Sequence, residues 1–149
     1  MHLQYRVLCG DSVSYRRVKR MLDKGKHPAF IGRDMFSRCA VNGGVILARL
    51  DERDVAVAIV NPRLNILLAL NVLPEFRNRS IGKMFVSFLK CNWARVIESS
   101  VPWFEGQGYV KVGSPKKGRA ITTFVMIKKN IITMGDRLRG LTRPDIVIG

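Results

Sequence analysis

Leu3, Tyr5 and Val7 alternate with Gln4 and Arg6, the period of a strand with one buried face, and Cys9-Gly10 leads from it to Asp11 or Ser12, either able to cap a helix. From Val13 to Lys24 the period changes: Val18, Met21 and Leu22 keep helical spacing while Arg16, Arg17, Lys19, Arg20 and Lys24 fill the other faces. Gly25 stops that helix and His27-Pro28 opens a turn. Asp34, Met35, Phe36 and Cys39 then predict a short second helix ending before Asn42-Gly43-Gly44.

Apolar runs at Val45 to Leu50, Val55 to Val60 and Leu64 to Leu73 predict three strands. Asp51-Glu52-Arg53-Asp54 and Asn61-Pro62-Arg63 separate them with turn chemistry, so an antiparallel meander is expected. The third run is apolar almost throughout, as a strand covered on both faces must be, and belongs in the middle of the sheet. Ser80 can cap a helix carrying Ile81, Met84, Phe85, Phe88 and Leu89 at i, i+3, i+4, i+7 and i+8. A strand at Ala94 to Ser99 and a short helix near Pro102 to Glu105 follow. The strands Tyr109 to Val112 and Ala120 to Ile127 come next, joined by the turn Ser114-Pro115-Lys116-Lys117-Gly118.

Length and composition fit one domain: 149 residues with 47% apolar content bury a single core. No apolar run spans a bilayer and no secretory signal opens the chain, so a cytoplasmic setting is the expectation. Cys9, Cys39 and Cys91 lie far apart without a C-x-x-C pair, which favours neither a disulfide framework nor a metal site and predicts small core residues. Charge changes the picture more. The 26 Lys and Arg against 11 Asp and Glu give a formal net charge of +15, which points to an anionic partner.

Within Val72-Leu73-Pro74-Glu75-Phe76-Arg77-Asn78-Arg79-Ser80-Ile81-Gly82-Lys83, a basic, glycine-containing loop joins a buried strand to the start of an amphipathic helix. Unpaired backbone N–H groups at that helix start and its dipole can hold phosphate oxygens, the absent side chain of Gly82 lets them approach, and Arg77, Arg79 and Lys83 add positive charge. Arg77-x-x-Ser80-x-Gly82 after Val72-x-Pro74 resembles the pyrophosphate loop of the GCN5-related N-acetyltransferases (GNAT), with Ser80 at the first glycine of the family pattern. Phe104-Glu105-Gly106-Gln107-Gly108-Tyr109 is similar to the family's aromatic-x-x-x-Gly-aromatic signature. The resemblance covers residues 3 to 129.

It implies an α/β (α+β) fold with a central mixed, mostly antiparallel twisted sheet of six to seven strands and three to four helices. Residues 1–129 would form the acyltransferase domain and 130–149 a basic extension. It implies acetyl-CoA or another acyl-CoA as cofactor, bound by Asn71, Val72 and Leu73 on the central strand and by Arg77, Asn78, Arg79, Ser80, Ile81, Gly82 and Lys83 in the loop. Where many members carry a proton-donating tyrosine this chain has Phe104; Glu98 is the candidate base and Tyr109 a candidate substitute acid. Ser99 and Ser100 stand near the family's coenzyme-holding asparagine.

Arg16, Arg20, Lys116, Lys117 and Arg119 can track a phosphate backbone, so DNA or tRNA is a candidate partner, the protein being a monomer or homodimer. Two alternatives stay open: an enzyme similar to bacteriophage Mom proteins that modify adenine in DNA, and a non-catalytic nucleic-acid-binding protein of the same fold. Leu138 to Ile148 looks like the approach to the acidic strand of viral DNA-packaging ATPases, but the chain has no phosphate-binding G-x-x-x-x-G-K-S/T, which excludes an ATPase.

Overall fold

The computed structural model describes residues 2–25, 31–119 and 121–130 of the chain. The His27-Pro28 turn, the first residue expected of the last strand, Ala120, and nearly all of the 130–149 extension lie outside the described residues. Within them the strands are β1 (Gln4–Val7), β2 (Val45–Leu50), β3 (Arg53–Asn61), β4 (Ile66–Val72), β5 (Trp93–Ile97), β6 (Tyr109–Lys117) and β7 (Thr122–Lys128). The helices are α1 (Ser12–Asp23), α2 (Arg33–Val41), α3 (Ile81–Leu89) and α4 (Val101–Gly106). One sheet takes the order β1-β2-β3-β4-β5-β7-β6, with β4 and β5 its parallel pair and the other pairs antiparallel. The expected class, the meander and the central place of the most apolar strand are all present.

Alternation along β4 assigns the helices to faces. Asn71 donates from Nδ2 to the Met21 carbonyl at the end of α1, 2.7 Å away, so its side chain is on the α1 face. Val72, the next residue, lies against Gly82 of α3 on the other face. The aromatic contact Tyr15–Phe36 joins α2 to α1, and Trp103 of α4 touches Gly82. So α1 and α2 cover one face, α3 and α4 the other. Asp11 caps α1 as the pattern predicts, its side chain accepting from the Ser14 amide at 2.7 Å.

Four local expectations are corrected. The β2–β3 turn needs only Asp51 and Glu52, both left-handed (φ 49° and 66°), a pair that matches strand twist in a two-residue hairpin. Arg53 and Asp54 therefore join β3, where Asp54 forms an ion pair with Arg17 of α1 and lies 3.3 Å from Arg49. Strand β6 runs past its predicted end to Lys117, because pairing resumes at Lys116↔Thr123 and Lys117↔Thr122 after an irregularity. Pro115, which has no N–H to give, falls in that irregular stretch, and the turn shifts to Gly118 and Arg119. Strand β5 ends at Ile97; Glu98–Ser100 form a 3-10 turn into α4. Cys39 and Cys91 are buried, but Cys9 is exposed at the start of α1, where its thiol donates to the Asp11 carboxylate.

Candidate functional site

Strands β4 and β5 pair only at Ile66↔Trp93 and Leu67↔Ala94. Just beyond, Leu68 is an extra residue in β4: Ile59 faces Ala69, while the next residue of β3, Val60, faces Leu67. A bulge bends its strand and sharpens the twist, and here the parallel partner is lost at the same point. Among the described residues the β5-facing edge of β4 has no strand partner from Leu68 to Val72. A cleft of about 620 Å³ occupies the opening. Leu70 and Val72 line it from β4, residues between Phe76 and Lys83 from the loop and α3, and Ser100, Trp103, Phe104 and Gln107 from the α4 side.

The loop is shaped by two left-handed residues, Asn78 (φ 63°) and Ser80 (φ 62°). Ser80 sits at the N-cap position, yet its hydroxyl caps nothing. Capping side chains reach the N2 and N3 amides from extended backbone, and the left-handed turn withdraws that route. The same angles account for the glycine of the family pattern at this position. Because Met84 N–H makes the helix's first bond, to the Ser80 carbonyl, the first-turn amides have no partner among the described residues and stand at the positive end of the dipole.

Arg77 folds back on the strand. Its Nε donates to the Val72 carbonyl at 3.1 Å and a terminal nitrogen to Asn71 Oδ1 at 3.4 Å, which braces the loop against β4. Arg79 and Arg53 stack over the Phe76 ring, their guanidinium carbons 5.6 and 5.0 Å from its centre. Gly82 has a different neighbour from the one its sequence suggests. A Cβ there would stand 3.2 Å from Trp103 Cζ2 and 3.6 Å from Val72 Cγ2, so the missing side chain makes room for an indole of α4.

Of the residues expected to hold the coenzyme, Val72, Arg77, Asn78, Ser80, Ile81, Gly82 and Lys83 line the cleft. Asn71 turns to α1, Leu73 is buried and Arg79 rests on Phe76, all outside the lining. The expected acid–base pair is not brought together. Glu98 is exposed on the 3-10 turn rather than on β5, and does not line the cleft. Tyr109 is fully buried with its hydroxyl donating to the Cys91 carbonyl at 2.5 Å. Burial, with the neighbouring Cys91 adding to it, pushes its pKa far up, so it keeps its proton at neutral pH. Among the described residues the ionisable ones lining the cleft are Arg77 and Lys83, both basic.

Ser100, Trp103, Phe104 and Gln107 follow i, i+3, i+4 and i+7, a single helix face. That spacing groups Trp103 and Gln107 on one side of α4, but which surface they face is set by how the helix packs. Among the basic residues, Arg16 and Arg20 are exposed on α1 and line a shallow groove with Val13, Lys19 and Asp23. Lys116, Lys117 and Arg119 are exposed at the β6–β7 tip. Thr123 pairs with both Ile97 and Lys116, so that tip lies at the end of the sheet where the cleft opens. The Met21–Asn71 bond brings the last turn of α1, with Arg20, to that end as well.

The fold is that of the GNAT acetyltransferases. Arabidopsis thaliana Naa50, in complex with the bisubstrate analogue CoA-Ac-MVNAL, is similar over 87% of this chain and 99% of its own, with TM-score 0.66 and 13% identity. The ribosomal-protein-S18-alanine N-acetyltransferase of Escherichia coli is similar over 85% and 93%, at 0.59 and 13%. The PaiA N-acetyltransferase of Thermoplasma acidophilum, in complex with coenzyme A, is similar over 87% and 99%, at 0.58 and 16%. No protein-family model and no curated protein matches the sequence. Among the described residues no helix is long and apolar enough to cross a membrane, and no group of His, Cys, Asp and Glu could hold a metal ion.

Proposed function

We propose that this chain is an acyl-CoA-dependent N-acyltransferase. The observation that carries this reading is the continuous path formed by the open edge of β4 and the side-chain-uncapped start of α3. That path offers amide partners to an extended arm and then unpaired N–H groups to a pyrophosphate, which is the sequence of groups in coenzyme A. Solved neighbours of the same fold hold coenzyme A or an analogue.

Bound acyl-CoA supplies an activated thioester. Val72 with the neighbouring β4 backbone, and the 78–83 loop with Lys83, would hold the arm and the phosphates. A β4 amide facing the opening would donate to the acyl oxygen as it gains charge. Phe104 stands in the cleft wall where the family pattern has its tyrosine and has no proton to give, so water takes the proton of the attacking amine and supplies one to the departing thiolate.

A second reading concerns the acceptor. The excess of basic residues, with exposed Arg20, Lys116, Lys117 and Arg119 at the cleft end of the sheet, favours an amine carried on nucleic acid. Calorimetry of acetyl-CoA on nucleic-acid-free protein, repeated with duplex DNA and with tRNA at fixed salt, tests both readings. Saturable acetyl-CoA binding supports the enzyme; its absence alongside tight nucleic-acid binding would leave a binding protein of this fold. An adenine mass shift in DNA from expressing cells would instead select a Mom-like modifying enzyme.

A further inference from the structure

Trp103 occupies the wall of the cleft where β4 ends and α3 begins, and the acyl-transfer reading gives it no task. Its ring edge meets the position of Gly82: a Cβ there would lie 3.2 Å from Cζ2 of the indole and 3.6 Å from its Cη2, and Val72 lines the same cleft from β4. The ring is held edge-on to Phe104, centres 4.9 Å apart at 81°, which fixes its plane from behind. Despite these contacts Trp103 remains 40% exposed. Its ring N–H has no partner among the described residues. The residue thus combines an ordered aromatic face, a free donor and a place over the first turn of α3.

We infer that Trp103 is a coenzyme-binding residue that clamps the junction of pantetheine and pyrophosphate against β4 and the first turn of α3, its face packing on the arm and its ring N–H donating to a phosphate oxygen. The inference rests on the acyl-CoA reading and adds to it a residue from α4, opposite the loop. Since the clamp is at the phosphate end of the path, it governs coenzyme affinity rather than the transfer step.

The chain has two tryptophans, and Trp93 pairs within the sheet at Ile66 and Ile127, away from the cleft lining. Trp93→Phe leaves Trp103 as the single tryptophan, whose emission is read by exciting at wavelengths where tyrosine does not absorb. Coenzyme A added to that variant should change the emission with the same dissociation constant that calorimetry gives. Trp103→Ala should weaken coenzyme A binding about tenfold and raise KM for acetyl-CoA with kcat nearly unchanged, and Trp103→Phe should recover most of the packing part of that loss. Melting temperatures of each variant separate lost binding from lost folding. Coenzyme affinity within twofold of the parent in a folded Trp103→Ala protein, or emission unmoved at saturating coenzyme, overturns the clamp while the acyl-CoA reading stands. A parent protein that binds no coenzyme A at all overturns the acyl-CoA reading itself.

Discussion

Gly82→Ala measures how much of the cleft's shape depends on one missing methyl group. The new Cβ would stand 3.2 Å from Trp103 Cζ2, where unstrained carbons keep about 3.5–4.0 Å, whereas the 3.6 Å to Val72 Cγ2 is an ordinary contact. Relieving the first contact means moving an indole that Phe104 holds from behind, and overpacking of that kind costs about 1–3 kcal/mol. Against it, alanine in a helix gains up to ~1 kcal/mol over glycine. The single substitution should therefore destabilise by about 0–2 kcal/mol, while in a Trp103→Ala background it should stabilise by up to ~1 kcal/mol. Urea unfolding of the parent, both single variants and the double variant gives the coupling directly, expected at about 1–3 kcal/mol with m unchanged. Effects that add to within ~0.5 kcal/mol would refute the reasoning. They would return Gly82 to the role its motif suggests, with room left for phosphate rather than for an indole.

Tyr109→Phe should leave acyl transfer intact and destabilise by about 1 kcal/mol, since it removes a buried hydrogen bond and strands the Cys91 carbonyl; lost activity in a stable variant would make the hydroxyl catalytic after all. Cys91 is pushed up to about 11 by burial, so iodoacetamide at neutral pH should label Cys9 alone in the native protein, and mass spectrometry finding Cys39 or Cys91 equally modified would contradict the packing. The Asp11 carboxyl is held below its ordinary pKa by accepting from Cys9 and from the Ser14 amide. Its contribution is present above the unfolded carboxylate pKa and lost as pH falls through the lower folded value, so Asp11→Ala should lower the melting temperature at neutral pH and lose less of it on acidification than the parent.

Much of the frame was legible because period and burial agree. Strand β4 reads as central since Ile66 to Ala69 are apolar and buried on both faces, and α3 because Ile81, Phe85 and Val86 form its buried stripe. Where the reading slipped, a local backbone feature had no side-chain signature. Asp51 is of a type that tolerates left-handed backbone, but nothing in the type of Glu52 announces that it completes a left-handed pair. Ser80 looked like a helix cap by residue type, whereas its positive φ makes it a loop residue standing in for glycine. The loop of the cleft was foreseen from its charges and glycine, whereas Ser100 and Phe104 of the far wall entered only through the family resemblance. Trp103 and Gln107 face the opening only because α4 packs beside α3, a tertiary fact that spacing alone could not assign to a side.

Leu68 has the effect of a frame shift within a strand. By adding one residue between two ladder pairs, it exchanges inside for outside in the segment that follows, so that Leu70 and Val72 meet the cleft while Asn71 bonds to α1. Deleting it should restore an unbroken alternation and rotate that whole segment by one position, presenting an amide side chain to the cleft and a valine to the helix on the opposite face. A substitution at 68 alters one contact. A deletion there rewrites the lining of the cleft without changing any residue that lines it.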